Sequence, residues 1–175
     1  MAKTLAKSID YNYVDTGAMY RCVTLYALKN DIIKNAKVDK ESLVAQLGDI
    51  SITFQISGPL RESNVYLNSV NVEETIRGMD VSRNVSQIST IREVREKLVA
   101  MQQRMGKENG IIMEGRDIGT VVYPDAELKV FMTASIEVRV TRRYDEMLSK
   151  GLNVSAEEVK ENVLSRDFED THRKY

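Results

Sequence analysis

The stretch that decides the fold is IIMEGRDIGT, residues 111–120. Its apolar beginning runs directly into a turn that holds an adjacent arginine and aspartate between two glycines. Short apolar runs bounded by turn signals are typical of buried parallel strands, and open α/β sheets bind ligands beyond the carboxyl ends of such strands. The stretch therefore predicts a parallel strand with a ligand site at its end, although a surface turn would also tolerate this sequence.

A similar junction stands upstream, at residues 11–21. Tyr11 to Asp15 predicts a short strand, and Thr16 occupies a helix N-cap position before a helix that ends at about residue 28. The first backbone N–H groups of a helix suit an anion, and Arg21 in the second turn can add a bidentate guanidinium to a phosphate. An ordinary strand-to-helix turn with a surface arginine is the alternative interpretation.

The pattern changes between these two junctions. Residues 51–57 and 64–68 alternate apolar with polar side chains on either side of Gly58-Pro59, which predicts a hairpin with one wet face. We interpret this hairpin as part of a small inserted lobe, at about residues 40–80, within a single domain that spans residues 1–175.

The remaining segments complete a layered fold. Leu128 to Met132 is another apolar run and predicts a second buried parallel strand. Helices are predicted for residues 2–9, 16–28, 40–47, 83–106, 136–150 and 156–173. Strands that alternate with helices indicate an α/β fold with parallel core strands.

Composition limits the class of protein. The 175 residues carry a net charge of −1, with 42% hydrophobic and 29% charged residues, which is typical of a globular domain and predicts no nucleic-acid or membrane surface. Cys22 is the single cysteine, so no internal disulfide can form, and we expect a core residue rather than a nucleophile. The absence of a signal-peptide pattern and of a long apolar run favours a reduced, cytoplasmic setting.

Two charge clusters lie on the predicted C-terminal helices. The i, i+4, i+7 spacing of the later cluster places its members on one helix face, namely Arg166, Asp170 and Arg173. The earlier cluster could reach nucleotide phosphates and consists of Arg139, Arg142 and Arg143. Solvated ion pairs are the alternative interpretation of both clusters.

The segments VDTGAMYR, EGRDIGTVVYPDA and SRDFEDTHR, in that order, resemble the bacterial cytidylate kinases. Members of that family transfer the γ-phosphoryl of ATP to CMP or dCMP with Mg²⁺. The resemblance spans the whole chain and implies a P-loop nucleoside-monophosphate-kinase-like layered fold. The hairpin lobe is similar to the family's antiparallel insert in the monophosphate-binding region. The resemblance also implies a monomer whose nucleotide partners are CMP or dCMP and ATP.

The resemblance further implies roles for individual residues. Thr16 takes the place of a substrate-pocket Ser or Thr, and Arg21 and Arg116 take the places of arginines near the acceptor phosphate. The residues similar to those that read the cytosine edge are Ser86, Arg95 and Asp117. The late-helix residues similar to those that contact sugar and phosphate are Arg166, Asp170 and Arg173.

Catalytic roles are expected for Arg116, Asp117 and Arg173. Glu114 is expected to bind substrate and stands where the family often has Asp, so the extra methylene moves its carboxylate by roughly an ångström. The arginine trio at 139–143 is assigned to ATP, and no residue is assigned to a metal.

One geometric consequence follows from the cytosine assignment. Ser86 and Arg95 are nine residues apart, which places them on opposite faces of one straight helix. A shared role therefore requires a helix break, which we expect near Ser89–Thr90. The sequence from Thr90 to Glu93 reads as a capping box that would start a new helix there.

No Gly-x-x-x-x-Gly-Lys-Ser/Thr loop for ATP phosphates occurs in the 175 residues. In the family, the first strand precedes that loop and lies between the strands at 111–115 and 128–132, and a last strand follows the late helix. We expect both strands to be absent, with a gap of roughly 10 Å or a closed sheet in their place, and an unstable, inactive chain. The alternatives are a non-catalytic nucleotide-binding module and a related transferase such as a tRNA dimethylallyltransferase.

Overall fold

The computed structural model describes residues 1–57, 62–106, 110–149, 151 and 153–172. The described chain forms two compact units, residues 1–126 and 127–175, and each is described by itself. The first unit contains, in chain order, α1 (Ala2–Ser8), β1 (Asn12–Asp15), α2 (Thr16–Lys29), β2 (Ile33–Lys34), β3 (Lys37–Val38), α3 (Lys40–Ala45), β4 (Ile52–Ser57), β5 (Glu62–Leu67), β6 (Val70–Asn71), α4 (Met79–Ser89), α5 (Arg92–Met105) and β7 (Ile111–Glu114). The second unit contains α6 (Ile136–Ser149) and α7 (Ala156–His172).

The parallel pair of β1 and β7 confirms the two predicted strands at the sequence junctions. Asn12 lies opposite Ile111, and Asp15 lies opposite Glu114. Because the strands are parallel, their carboxyl ends meet at one edge of the sheet. β7 is half-buried rather than buried as predicted, since β1 is its only paired strand in the described ranges.

Helix α2 begins directly at the end of β1. The side chain of Asp15 accepts a hydrogen bond from the backbone N–H of Ala18 at 3.2 Å, so Asp15 is the N-cap. The prediction of Thr16 as the N-cap was wrong by one residue, because the Thr16 hydroxyl donates instead to the carbonyl oxygen of Glu114 at 2.9 Å. Further along α2, Met19 and Val23 are fully buried and face the core.

The predicted hairpin is present as β4 and β5, to which the short strand β6 adds a third antiparallel partner. Ile52 lies opposite Leu67, and both are buried, whereas Thr53 is exposed, so one face is wet as expected. The β5–β6 turn uses Asn68 and Ser69 at φ of 47° and 68°. Asn68 also accepts a hydrogen bond from the backbone N–H of Ser51 through its side-chain oxygen at 2.8 Å, which closes the turn against β4.

The predicted break near Ser89–Thr90 is confirmed, since α4 ends at Ser89 and α5 begins at Arg92. The predicted capping box was wrong. Thr90 ends α4, and its hydroxyl donates back to the carbonyl oxygen of Gln87 at 2.8 Å, so it does not cap α5. Ile91 takes the N-cap position of α5 without a side-chain hydrogen bond.

One hydrophobic core holds the first unit together. Helices α2, α4 and α5 and the hairpin strands all bury side chains in it. Its largest fully buried apolar side chains are Met19, Leu43, Ile76, Ile88 and Leu98. This core fixes α2 against the segment that connects the antiparallel sheet to α4.

The predicted strand at Leu128 to Met132 was wrong. These residues form no strand, and Phe131 is 91% exposed. A strand needs a neighbour to satisfy its backbone groups, and no described strand lies beside this run. Helices α6 and α7 of the same unit follow the prediction and are joined by Arg139 and Asp167. In the described ranges, no helix combines the length and the apolar character that a membrane crossing needs.

Replacing a core leucine separates the buried from the exposed apolar positions. We expect Leu98→Ala to lower the free energy of unfolding by about 2–5 kcal/mol, because Leu98 is fully buried and its loss leaves a cavity. The matched variant Leu128→Ala should change it by less than about 0.5 kcal/mol, because Leu128 is exposed. Urea unfolding followed by circular dichroism measures both, and an equal cost would contradict the exposed placement of Leu128.

Substitution of Gly115 by alanine tests how much the Thr16–Glu114 hydrogen bond between the ends of β1 and β7 contributes to stability. A Cβ there would lie 2.1 Å from the Thr16 hydroxyl oxygen, so Gly115→Ala should displace that hydroxyl from Glu114 and cost about 1–3 kcal/mol of stability. Gly48→Ala is the control, because no atom lies within 4 Å of its added Cβ. Equal unfolding free energies for the two variants would show that the Thr16 contact does not hold the junction.

Candidate functional site

Arg21, which the sequence analysis predicted to bind a phosphate, lies in the second turn of α2 as expected. Its Nη1 donates to the carbonyl oxygen of Ile76 at 3.2 Å and to the hydroxyl of Ser82 at 2.9 Å. Both acceptors belong to the segment that leads into and begins α4. The guanidinium is therefore oriented by contacts from another part of the chain, which is the preorganisation that anion binding requires.

A second arginine at this end was not predicted. Arg77 bonds the carboxylate of Glu73, and its Nη2 lies 4.0 Å from Oδ2 of Asp15. Burial alone would lower the pKa of Arg77, but the hydrogen bond to Glu73 and the charges of Glu73, Asp15 and Glu74 together raise it. The four-residue spacing of Glu73 and Arg77 was visible in the sequence, but the approach of Arg77 to Asp15 depends on the tertiary fold.

Two of the three residues expected to contact the cytosine edge, Arg95 and Asp117, are in contact in the structure. Arg95 Nη2 lies 2.7 Å from Oδ2 of Asp117 in an ion pair. Arg95 stands in the first turn of α5 and is buried, whereas Asp117 follows β7 and is half-buried. Ser86 is half-buried on α4, before the helix break, and its carbonyl oxygen accepts a hydrogen bond from the hydroxyl of Ser89.

The strand ends carry the remaining predicted residues of the first unit. Thr16 is buried and Glu114 and Arg116 are exposed at the same edge of the sheet. Burial, followed by a hydrogen bond to Glu114, raises the pKa of Tyr13 well above its usual range. Glu114 is therefore placed at the surface of the edge, with one contact directed back to β1.

Cys22 is buried in the core, as predicted. Burial raises the pKa of its thiol to about 12, and the nearby carboxylates of Glu73 and Asp15 add to the effect. A thiol with this pKa is protonated at neutral pH and is a poor nucleophile. The geometry agrees with a structural residue.

The arginines assigned to ATP lie in the second unit. Arg139 donates to both carboxylate oxygens of Asp167, at 2.9 and 2.6 Å, and this hydrogen bonding raises its pKa. Arg143 pairs with Glu146 at 3.0 Å, and Arg142 is exposed. Arg139 and Arg143 make ion pairs within the second unit, and the role of all three arginines in binding ATP stays a prediction.

The late-helix cluster is placed only in part. Arg166 and Asp170 lie on α7, but their side chains, and Arg173 as a whole, lie outside the described residues. The meeting of Arg21, Arg116 and Arg173 around one cavity therefore stays a prediction. Among the described residues, no group of three or more His, Cys, Asp or Glu side chains is arranged to hold a metal ion.

Comparisons with known proteins identify the family. A family model described as cytidylate kinase matches residues 1–175. The chain is 54% identical over 173 residues to cytidylate kinases of Parabacteroides distasonis and of Bacteroides fragilis, which covers 99% of this chain and 76% of each relative. A cytidylate kinase of Porphyromonas gingivalis is 48% identical over 174 residues, with 75% of the relative covered. With these matches added to the parallel strand ends, the Arg95–Asp117 contact and the antiparallel lobe, the chain belongs to the cytidylate kinase family.

Proposed function

We propose that the first unit binds CMP or dCMP as the phosphoryl acceptor, with the base at Arg95 and Asp117 and the phosphate at Arg21 and Arg116. Membership of the family supports CMP phosphorylation by ATP as the reaction.

The contact between Arg95 and Asp117 is the observation that carries the proposal. Cytosine offers an amino donor beside two acceptors on its pairing edge. A carboxylate accepts several hydrogen bonds, so Asp117 can accept from the amino group while Arg95 holds it in place. The guanidinium of Arg95 has further N–H groups that can donate to N3 and O2 of the base.

Uracil presents a carbonyl oxygen where cytosine has its amino group. The half-buried carboxylate of Asp117 would then face a second acceptor, and the unpaired polar groups would cost roughly 1–3 kcal/mol. A site built on a hydrogen bond rejects the analogue that lacks the donor more strongly than an apolar pocket can. This supports a preference for CMP over UMP of roughly tenfold to a hundredfold.

The phosphate end has a simpler requirement. Phosphoryl transfer needs the acceptor phosphate held in line with the donor and positive charge near the transferred group. Arg21 is oriented by Ile76 and Ser82, and Arg116 is exposed two residues beyond the end of β7. In the proposal these two arginines of the first unit hold the acceptor phosphate.

Binding of ATP and Mg²⁺ is a separate question from binding of CMP. Mg²⁺ is expected to arrive with the ATP phosphates, but the described residues include no cluster that fits a protein-held metal, so no step is assigned to it. The 175 residues contain no Gly-x-x-x-x-Gly-Lys-Ser/Thr sequence. We therefore expect these residues alone, as a monomer, to bind CMP without phosphorylating it.

Titration calorimetry tests the two halves separately. The 175 residues should bind CMP or dCMP, bind UMP at least about tenfold more weakly, and produce no CDP from CMP, ATP and Mg²⁺ in a coupled assay. Failure to bind any pyrimidine monophosphate would refute the placement of the acceptor site. Normal turnover would leave that placement intact and refute the expected inactivity.

Asp117→Asn tests the base-reading role. Asparagine keeps an oxygen for Arg95 but adds N–H donors, so it can bond the uracil carbonyl that the carboxylate disfavours. We expect the preference for CMP over UMP, measured by calorimetry, to shrink by about tenfold. Asp125→Asn is the control, because Asp125 is exposed on the loop that follows. An Asp117→Asn variant with the full preference for CMP would contradict the role.

A further inference from the structure

The segment from Glu73 to Ser82 is linked to the start of α2 by two arginines that reach in opposite directions. Arg21 leaves α2 and donates to Ile76 and Ser82. Arg77 leaves the segment and approaches Asp15, the N-cap of α2, at 4.0 Å. Each of the two elements therefore supplies the cation that holds the other.

The segment is also tied to the antiparallel sheet. Oε1 of Glu73 accepts from Arg77, while Oε2 accepts from the backbone N–H of Val65 at 3.2 Å. Val65 is fully buried in β5, so Glu73 anchors Arg77 to a rigid strand. In addition, the hydroxyl of Ser63 in β5 donates to the carbonyl oxygen of Tyr13 in β1 at 3.1 Å.

These contacts form a continuous chain from the sheet of the lobe to the phosphate end of α2. It runs from the Val65 amide through Glu73 and Arg77 to the carboxylate of Asp15. The side chains of Glu73, Arg77 and Asp15 are 18%, 33% and 27% exposed. Ion pairs shielded to this degree are weakened less by solvent and salt than fully exposed ones.

We propose that Arg77, held by Glu73, is a positioning residue that orients the Arg21 guanidinium for binding the acceptor phosphate. Arg77 acts through the carbonyl oxygen of Ile76, the residue beside it in the chain, which is one of the two acceptors of Arg21. This role deepens the proposed function and rests on CMP binding with its phosphate at Arg21.

Cytidine, which lacks the phosphate of CMP, distinguishes an effect of Arg77 on Arg21 from a general loss of protein stability. Arg77→Gln should lower the affinity for CMP by about tenfold, which corresponds to the loss of one charged hydrogen bond. Its affinity for cytidine, measured by NMR titration, should stay within about twofold of wild type, because cytidine has no group for Arg21. Arg77→Lys keeps the charge beside Glu73 and should restore most of the CMP affinity.

A double-mutant cycle tests whether Arg77 acts through Arg21. In an Arg21→Gln background, Arg77→Gln should cause no further loss of CMP affinity, because the group that it positions is gone. Arg92→Gln is the matched control, since Arg92 forms an exposed i,i+4 pair with Glu96 and should leave CMP and cytidine affinity unchanged. Urea unfolding checks that each variant is folded at the assay temperature.

The outcomes are distinct from those that test the proposed function. A wild-type chain that binds neither CMP nor cytidine refutes both the function and this inference. A wild-type chain that binds CMP, with equal losses of CMP and cytidine affinity in Arg77→Gln, refutes the inference alone. Additive losses in the double-mutant cycle also refute it, as does an Arg77→Gln variant that binds CMP as wild type does. A loss confined to CMP and absent in the Arg21→Gln background supports it.

Discussion

The parallel pairing of β1 with β7 is the contact on which the candidate site depends. It brings together two segments that are far apart in the sequence, and the register aligns Asp15 with Glu114. The hydroxyl of Thr16 then bonds across the junction to Glu114. Because strand direction fixes which ends meet, the helix that carries Arg21 and the turn that carries Asp117 start from the same edge. The chemistry of both segments is combined by backbone pairing rather than by contact between their functional side chains.

Much of this arrangement could be predicted from the sequence. The strands at β1 and β7, the hairpin and the helix break each have a local cause, such as an apolar run between turn signals or an alternating pattern. The positions of Arg21, Arg95 and Asp117 follow from these elements. Local patterns are informative here because each element is stabilised by the same residues that define its pattern.

The failures have a different physical origin. The run at 128–132 has the composition of a strand, but composition does not specify a neighbour, and backbone pairing is a property of two segments. Asp15 and Thr16 are both good caps, and the choice between them was made by Glu114, a residue remote in the chain. Glu73 and Arg77 are four residues apart in the sequence, but only the tertiary fold brings Arg77 close to Asp15. Each of these outcomes was decided by a distant segment that local sequence does not reveal.

The exposed run at residues 128–132 has a consequence for handling the molecule. Leu128, Val130, Phe131 and Met132 are all well exposed, and the run has high strand propensity, no proline and one charge. Segments of this kind pair readily between chains and seed aggregation. Self-association of this chain should therefore begin at this run as concentration rises. A lysine in place of Phe131 would improve solubility without disturbing the core of the first unit.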